Sequence, residues 1–545
     1  MINDNEIKRK RHIDDIHVRV STNDPDVLQK RMYILSLNFF ELRDELQNDS
    51  LTATDVLNAF VWKAEMVHRE VNCIVEFLPE SFEQAQNLDA QWNNISGKPL
   101  LFGYDCTIGL AKYLHKPMEN DCTLVTFWRS QGAIPFVITT VPQGLLSFAC
   151  CSSLHGVTLN PHLHSRTPGG SSGGECALFI SGGSTFGMGG DLAGSLRIPA
   201  CFCGVTTLKL TEERLRVKYV LSGISGRSRL SLGYGFFTKT VAEQIFLLKI
   251  VLGSAEYYEM VPHQPFLPLD ERKIFVPHLR IGYYVDDGFM KPVPACSRAV
   301  AQTVEKLKAI GHEMVLFHLP DPKNAASLFY RGLMPYGRDQ LIKVYANELP
   351  FSVCNIISYF LSFISTPLSI VAGSYIKNLV DLRTTQKMTD QYKEKFIQQW
   401  KTLELDALIC PAFTVPAVPH AYPSRLGVCA FATGLFNLLD FPAGIVPTGR
   451  VNSEDDKLLD NENFWHTGID FALKMLRNAA RDSAGLPLAV QVVGLPLREE
   501  KCLSVMKEIE KVIVPNQNSY NLAVYITDDQ EKPFVLNIPK KRLLS

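Results

Sequence analysis

Ser171 and Ser195 lie inside residues 167–197, a stretch dense in glycine and serine within an otherwise apolar region. Glycine at this density suits a backbone that must approach a reacting group closely and aim N–H donors at developing negative charge. The serines between the glycines are the candidate nucleophile and proton carrier. A flexible Gly/Ser linker has a related composition. That reading fits poorly, because Ala177, Leu178, Phe179, Ile180, Phe186, Met188 and Leu192 interrupt the run and residues 198–205 continue apolar. Gly169-Gly170-Ser171-Ser172-Gly173 also matches the Gly-x-Ser-x-Gly nucleophile elbow of α/β-hydrolases. An elbow must follow a buried strand, whereas residues 162–168 are polar and broken by proline.

The elements that must carry these serines alternate between the two regular periods. Residues 32–90 read as helices: Leu35, Leu37, Phe39, Phe40 and Leu42 recur along one, and Val56, Phe60, Val61, Ala64 and Val67 along another, with Thr52 or Thr54 as N-cap. Residues 133–139 read as a buried strand. A strand, helix, strand unit follows at 279–284, 297–310 and 313–317, the helix closed by Gly311, and further strands are expected at 407–410, 444–447 and 488–493. The pattern is α/β: one large mixed β-sheet core flanked by helices on both faces. The expected organisation is an N-terminal helical region at 1–60, a catalytic domain at 61–515 with an apolar insertion at 345–380, and a C-terminal tail at 516–545.

The chain of 545 residues carries 55 basic and 56 acidic side chains, which argues against a nucleic-acid partner. Thirteen cysteines occur without a Cys-x-x-Cys pair, so a reducing, intracellular setting is expected. No apolar stretch follows the N-terminal methionine as a signal peptide would. Residues 351–376 carry no charge but are diluted by serines and Asn355 and broken by Pro367. Two readings stand for them: short helices lying in one leaflet of a membrane, or a buried helical hairpin. His162 and His164 form half of a metal-site spacing with no further ligand set nearby, and His155 and His420 are likewise read as loop histidines, so no metal is expected. No Gly-x4-Gly-Lys-Ser/Thr phosphate loop occurs.

The block from Gly169 through Ser195 to Gly204 resembles the amidase signature. The resemblance extends to Val141-Pro142-Gln143, to residues 437–444 (Asn437, Asp440 and Gly444 among them) and to 485–491, and within the family it is similar to fatty acid amide hydrolases. It implies the amidase signature fold and a serine amidase without metal or cofactor that cleaves long-chain acyl amides, such as acylethanolamines and primary fatty amides, to fatty acid and amine. It further implies catalytic Ser195 as nucleophile, Ser171 as the bridging serine reached through a cis peptide, and a lysine base. Leu192, Ala193, Gly194 and Ser195 would supply oxyanion-binding N–H groups, with Ala193 where relatives carry glycine. Leu145 and Ser171 would complete the substrate-binding set, and Asp191 and Arg197 would orient the loop. A membrane-associated homodimer on the cytosolic face of endomembranes, or in the cytoplasm, is the implied setting.

The resemblance breaks at the base. Leu101-Phe102-Gly103 matches the start of the lysine-bearing segment, and Tyr104-Asp105-Cys106-Thr107 matches the stretch after it, so the lysine strand between Gly103 and Tyr104 is absent. An omitted exon would produce such an isoform. Lys98, Lys112 and Lys116 are near in sequence but sit in polar settings, where a lysine keeps its proton at neutral pH. Impaired turnover is expected; the rival reading is a catalytically inactive isoform that binds acyl amides.

Overall fold

The computed structural model describes residues 2–91, 107–114, 116, 118–221, 229–274, 277–335, 367, 370–371 and 374–513. Gly103, Tyr104, Lys98, the tail at 516–545 and most of 351–376 lie outside the described residues.

Twelve strands are described: β1 (Ile74–Phe77), β2 (Val137–Thr139), β3 (Cys151–Ser152), β4 (Gly156–Val157), β5 (Gly187–Asp191), β6 (Thr206–Lys209), β7 (Gly233–Thr238), β8 (Arg280–Tyr283), β9 (Glu313–Leu316), β10 (Ala407–Pro411), β11 (Ala443–Arg450) and β12 (Pro487–Val493). Eight of them form one sheet in the order β5-β7-β6-β11-β12-β10-β8-β9. It is mixed: β10 runs parallel to β8 and β8 to β9, whereas β5–β7, β7–β6, β6–β11, β11–β12 and β12–β10 are antiparallel. The parallel part is the expected strand, helix, strand unit, its helix running Pro294–Ala309 and ending before Gly311, whose φ is +97°. Strands β10 and β12 are buried at every residue. Such strands must lie between two layers, and their continuous Val, Ile, Leu and Ala content answers that demand. Helices Arg197–Cys203, Pro294–Ala309 and Glu499–Ile513 pack on this sheet.

Two expectations are corrected. The single helix read through Leu35 and Leu42 is two, Pro25–Ser36 and Phe39–Gln47. Asn38 breaks it: its side chain accepts from the N–H groups of Phe40 and Glu41 while Glu41 returns a bond to the Asn38 N–H, a capping box that outcompetes helix continuation. Of Thr52 and Thr54, Thr52 is the N-cap: it forms the same box with Asp55 at the start of Ala53–Val71. The strand expected at 133–139 shrinks to Val137–Thr139 and stands outside the main sheet, paired antiparallel with β1 in a half-buried two-stranded ribbon. Glu175, on helix Gly173–Ile180, links ribbon to sheet. Its carboxylate accepts from the Thr139 hydroxyl (2.9 Å) and from the N–H of Met188 on β5 (3.2 Å), and burial raises its pKa.

The N-terminal helices have apolar clusters of their own. Ile34, Leu35, Leu42, Leu51 and Ala59 form one, and Ile13, Ile16, Val20, Val61 and Phe77 belong to another that reaches Ala177 and Leu178 on the signature helix. Described cysteines, buried or half-buried, are free thiols.

Candidate active site

Strand β5 ends at Asp191, and after five intervening residues the chain enters a helix at Arg197. The turn between them carries Ser195. Asp191 gathers it: Oδ1 accepts from the N–H of Gly194 (2.8 Å), and Oδ2 from the N–H groups of Leu196 and Arg197 (both 3.2 Å). Arg197 faces the same carboxylate, donating from Nε to Oδ2 (3.0 Å) and from Nη2 to Oδ1 (2.8 Å). Its other donors reach Asn437 Oδ1 (2.6 Å), Gln491 Oε1 (2.6 Å) and the Thr433 carbonyl (2.8 Å). Every N–H of the guanidinium is thereby matched by an oxygen, the condition under which a buried charge is tolerated. Both side chains are 0% exposed, so this is a buried pair and not a surface one.

The helix Phe431–Leu438 holds the turn from the other side. Asn437 donates to the main-chain carbonyl of Asp191 (2.7 Å) and to that of Ser231 (3.0 Å). Burial alone would raise the Asp191 pKa; the charge and hydrogen bonds of Arg197, with Lys209 and Asn437, reverse this and hold it at about 2.

Lys209 was missed in the sequence, where it stands as a lone charge in the apolar run Thr-Leu-Lys-Leu. It closes β6 fully buried, its stem 2.6 Å from where a Cβ at Gly233 would stand, and its Nζ donates to the Leu210 carbonyl (3.2 Å). Gly233 pairs with Asp191, so the lysine crosses the glycine toward the carboxylate's side of the sheet. Burial, aided by the positive charge of Arg197 and opposed by Asp440, Asp191 and Glu499, brings its pKa down to about 8.

Ser171 is buried, and the Gly170–Ser171 peptide bond is cis. The N–H of Ser172 donates to the carbonyl of Ser195 (3.0 Å), which sets the two serine-bearing loops side by side. Leu192, Ala193 and Ser195 are half-buried and Gly194 buried. Of the four N–H groups implied for oxyanion binding, that of Gly194 is engaged by Asp191, while those of Leu192, Ala193 and Ser195 donate to no atom among the described residues. Ala193 is not among the residues with positive φ, so its methyl group fits the backbone without strain. Leu145 is half-buried at φ +62°, its N–H donating to the Pro142 carbonyl (2.9 Å) in the turn that precedes the signature block.

The other sequence candidates lie apart from this arrangement. Lys112 is half-buried with its Nζ 5.5 Å from the Tyr113 ring centre, and Lys116 is exposed. His155 is buried, and burial, with Arg9 nearby, pushes its pKa down to about 3. His162 donates to the Cys203 carbonyl (2.8 Å), His164 lies 3.3 Å from Glu70, and His420 donates to the His164 carbonyl (3.0 Å). Among the described residues no group of three or more His, Cys, Asp or Glu is placed to hold a metal.

The arrangement has counterparts among known proteins. The Amidase family model matches residues 55–503. Fatty acid amide hydrolase 1 of Caenorhabditis elegans is 32% identical over 546 residues, covering 93% of this chain and 94% of that protein. Fatty-acid amide hydrolase 1 of Sus scrofa is 32% identical over 515 residues, covering 89% and 87%. A solved fatty acid amide hydrolase structure superposes with a TM-score of 0.76 at 22% identity, covering 94% of this chain and 90% of that one, a likeness of fold.

Proposed function

The chain belongs to the amidase signature family and is an amidase of the fatty acid amide hydrolase type, and from that premise we propose that it acts on long-chain acyl amides, acylethanolamines and primary fatty amides, through an acyl-enzyme on Ser195. The observation that carries the proposal is the buried Asp191–Arg197 pair, which fixes the Ser195 turn beside the Ser171 loop. In this reading Ser195 Oγ attacks the acyl carbon and its proton passes by way of Ser171 to the leaving amine. The N–H groups of the turn stabilise the oxyanion, and water then releases the fatty acid.

Turnover is impaired in this reading, because the lysine strand is missing between Gly103 and Tyr104. Two features support it. Strand β5 is an edge of the eight-stranded sheet, and the β1–β2 ribbon stands apart from it, linked through Glu175. Substrate is taken from a membrane surface, a reading supported by the apolar 351–376 segment and by the exposure of Tyr375 within it and of Leu379 and Val380 just after it. No helix among the described residues is long and apolar enough to cross a membrane. A homodimer on the cytosolic face of endomembranes or in the cytoplasm, with a role in lipid metabolism, completes the proposal.

Release of oleate from oleamide and oleoylethanolamide by the purified chain tests it. The expected rate is several orders of magnitude below that of relatives retaining the lysine, and Ser195→Ala abolishes it. Turnover equal to theirs refutes the impairment. Amide binding with no reaction at Ser195 favours the inactive, amide-binding isoform. Flotation with phosphatidylcholine vesicles tests membrane access; protein that remains in the unbound fraction removes it.

A further inference from the structure

The Thr433 side chain belongs to the helix Phe431–Leu438, and none of the steps above uses it. It is fully buried, and its hydroxyl donates to the carbonyl of Ala193 (2.6 Å), with a longer bond to its own helix at the Ala430 carbonyl (3.3 Å). The Ala193 carbonyl and the Gly194 N–H belong to one planar peptide unit and point in opposite directions. Asp191 Oδ1 holds the N–H end at 2.8 Å, and Thr433 holds the carbonyl end. The plane is thus pinned at both ends, immediately before the nucleophile. Gly194, at φ +120°, admits the helix this close because a Cβ there would collide with the Thr433 hydroxyl. The Thr433 carbonyl also accepts from Arg197, so the turn and its arginine are referenced to one residue.

We propose that Thr433 is a positioning residue for the oxyanion-binding turn: by fixing the Ala193–Gly194 peptide plane, its hydroxyl aims the N–H groups of Ala193 and Ser195 at the reacting oxygen. The inference rests on the hydrolase reading for what the turn does, but the pinning itself does not depend on turnover. If the hydroxyl is removed, the Ala193 carbonyl loses its partner and the peptide is free to rotate toward water, which turns the flanking donors away from the transition state. A mispositioned donor costs less than a deleted one, so a drop of about tenfold in Ser195 reactivity is expected.

The test compares Thr433→Val, which keeps the shape, with Thr433→Ser, which keeps the hydroxyl. The two readouts are the rate of Ser195 labelling by an alkyl fluorophosphonate and the hydrogen exchange of the peptide covering residues 191–197. Thr433→Val should label about tenfold more slowly and exchange faster in that peptide, with the remaining peptides unchanged. Thr433→Ser should recover most of the rate and the protection. Equal labelling in native protein and the Val variant overturns the proposal, as does a Ser variant no better than Val. Should native protein not label, the hydrolase reading falls and exchange alone decides: faster exchange in Val but not in Ser supports the pinning, and unchanged exchange refutes it.

Discussion

Replacing Arg197 by methionine removes the whole cationic side of the buried pair while keeping a side chain of similar length. The magnitude follows from Asp191. Its carboxyl is held at about 2 rather than 3.8 despite complete burial, so its surroundings favour the ionised form by about 2 kcal/mol more than water does. Without the guanidinium the burial penalty acts unopposed by its main partner, and three oxygens, on Asn437, Gln491 and the Thr433 carbonyl, lose their donor. Removing one member of a buried pair costs about 3–5 kcal/mol. Urea unfolding of Arg197→Met, Asp191→Asn and the double variant measures it. The double variant should be less destabilised than the sum of the singles by at least about 2 kcal/mol, since each single leaves its partner stranded. The sign with pH is also fixed. A carboxyl with a depressed pKa contributes stability that is complete above 3.8 and lost as pH falls toward about 2, so this loss belongs to the native protein and not to variants lacking Asp191. Additive single variants, or an Arg197→Met protein as stable as the native one, would refute the reasoning.

Further outcomes follow from the same geometry. Gly194→Ala places a methyl group against the Thr433 hydroxyl at a φ of +120°, and fluorophosphonate labelling of Ser195 should fall by about 10²-fold. Lys209 has its pKa lowered from 10.5 to about 8, so the unfolded chain holds the proton more tightly and native stability rises with pH between those values; Lys209→Met should abolish that rise in unfolding midpoints taken across the window. Asn38→Ala removes a capping box and should cost about 1 kcal/mol, read as faster exchange in Phe39–Gln47.

Much of the architecture was readable because buried strands announce themselves as short apolar runs. The strand, helix, strand unit ending at β9 and the strands β10, β11 and β12 fall within a few residues of their expected places. The failures are local. The break at Asn38 depends on a side chain competing with the backbone two and three residues on, a choice invisible to apolar periodicity. Residues 133–136 have strand composition, but β2 has only β1 beside it, and pairing partners are not encoded locally. At the site, Asp191, Arg197 and Ser195 were visible because they share one motif. Asn437 and Gln491 lay in matched segments, yet their bonds to Arg197 span 240 and 294 residues and could not be read from either segment. Lys209 gave no signal, since a lone lysine in an apolar run looks like a strand end reaching solvent; only the pairing of Gly233 with Asp191 reveals where it points.

The central claim is that the turn after β5 presents a reactive hydroxyl, and mapping a fluorophosphonate adduct by peptide mass spectrometry tests it most directly. Attack of Ser195 Oγ on a fluorophosphonate forms an O–P bond and expels fluoride, a leaving group that needs no proton from Ser171, so slow formation of a single adduct on Ser195, absent in Ser195→Ala, is predicted. An adduct on any other residue, or none on folded protein after prolonged exposure, would contradict it.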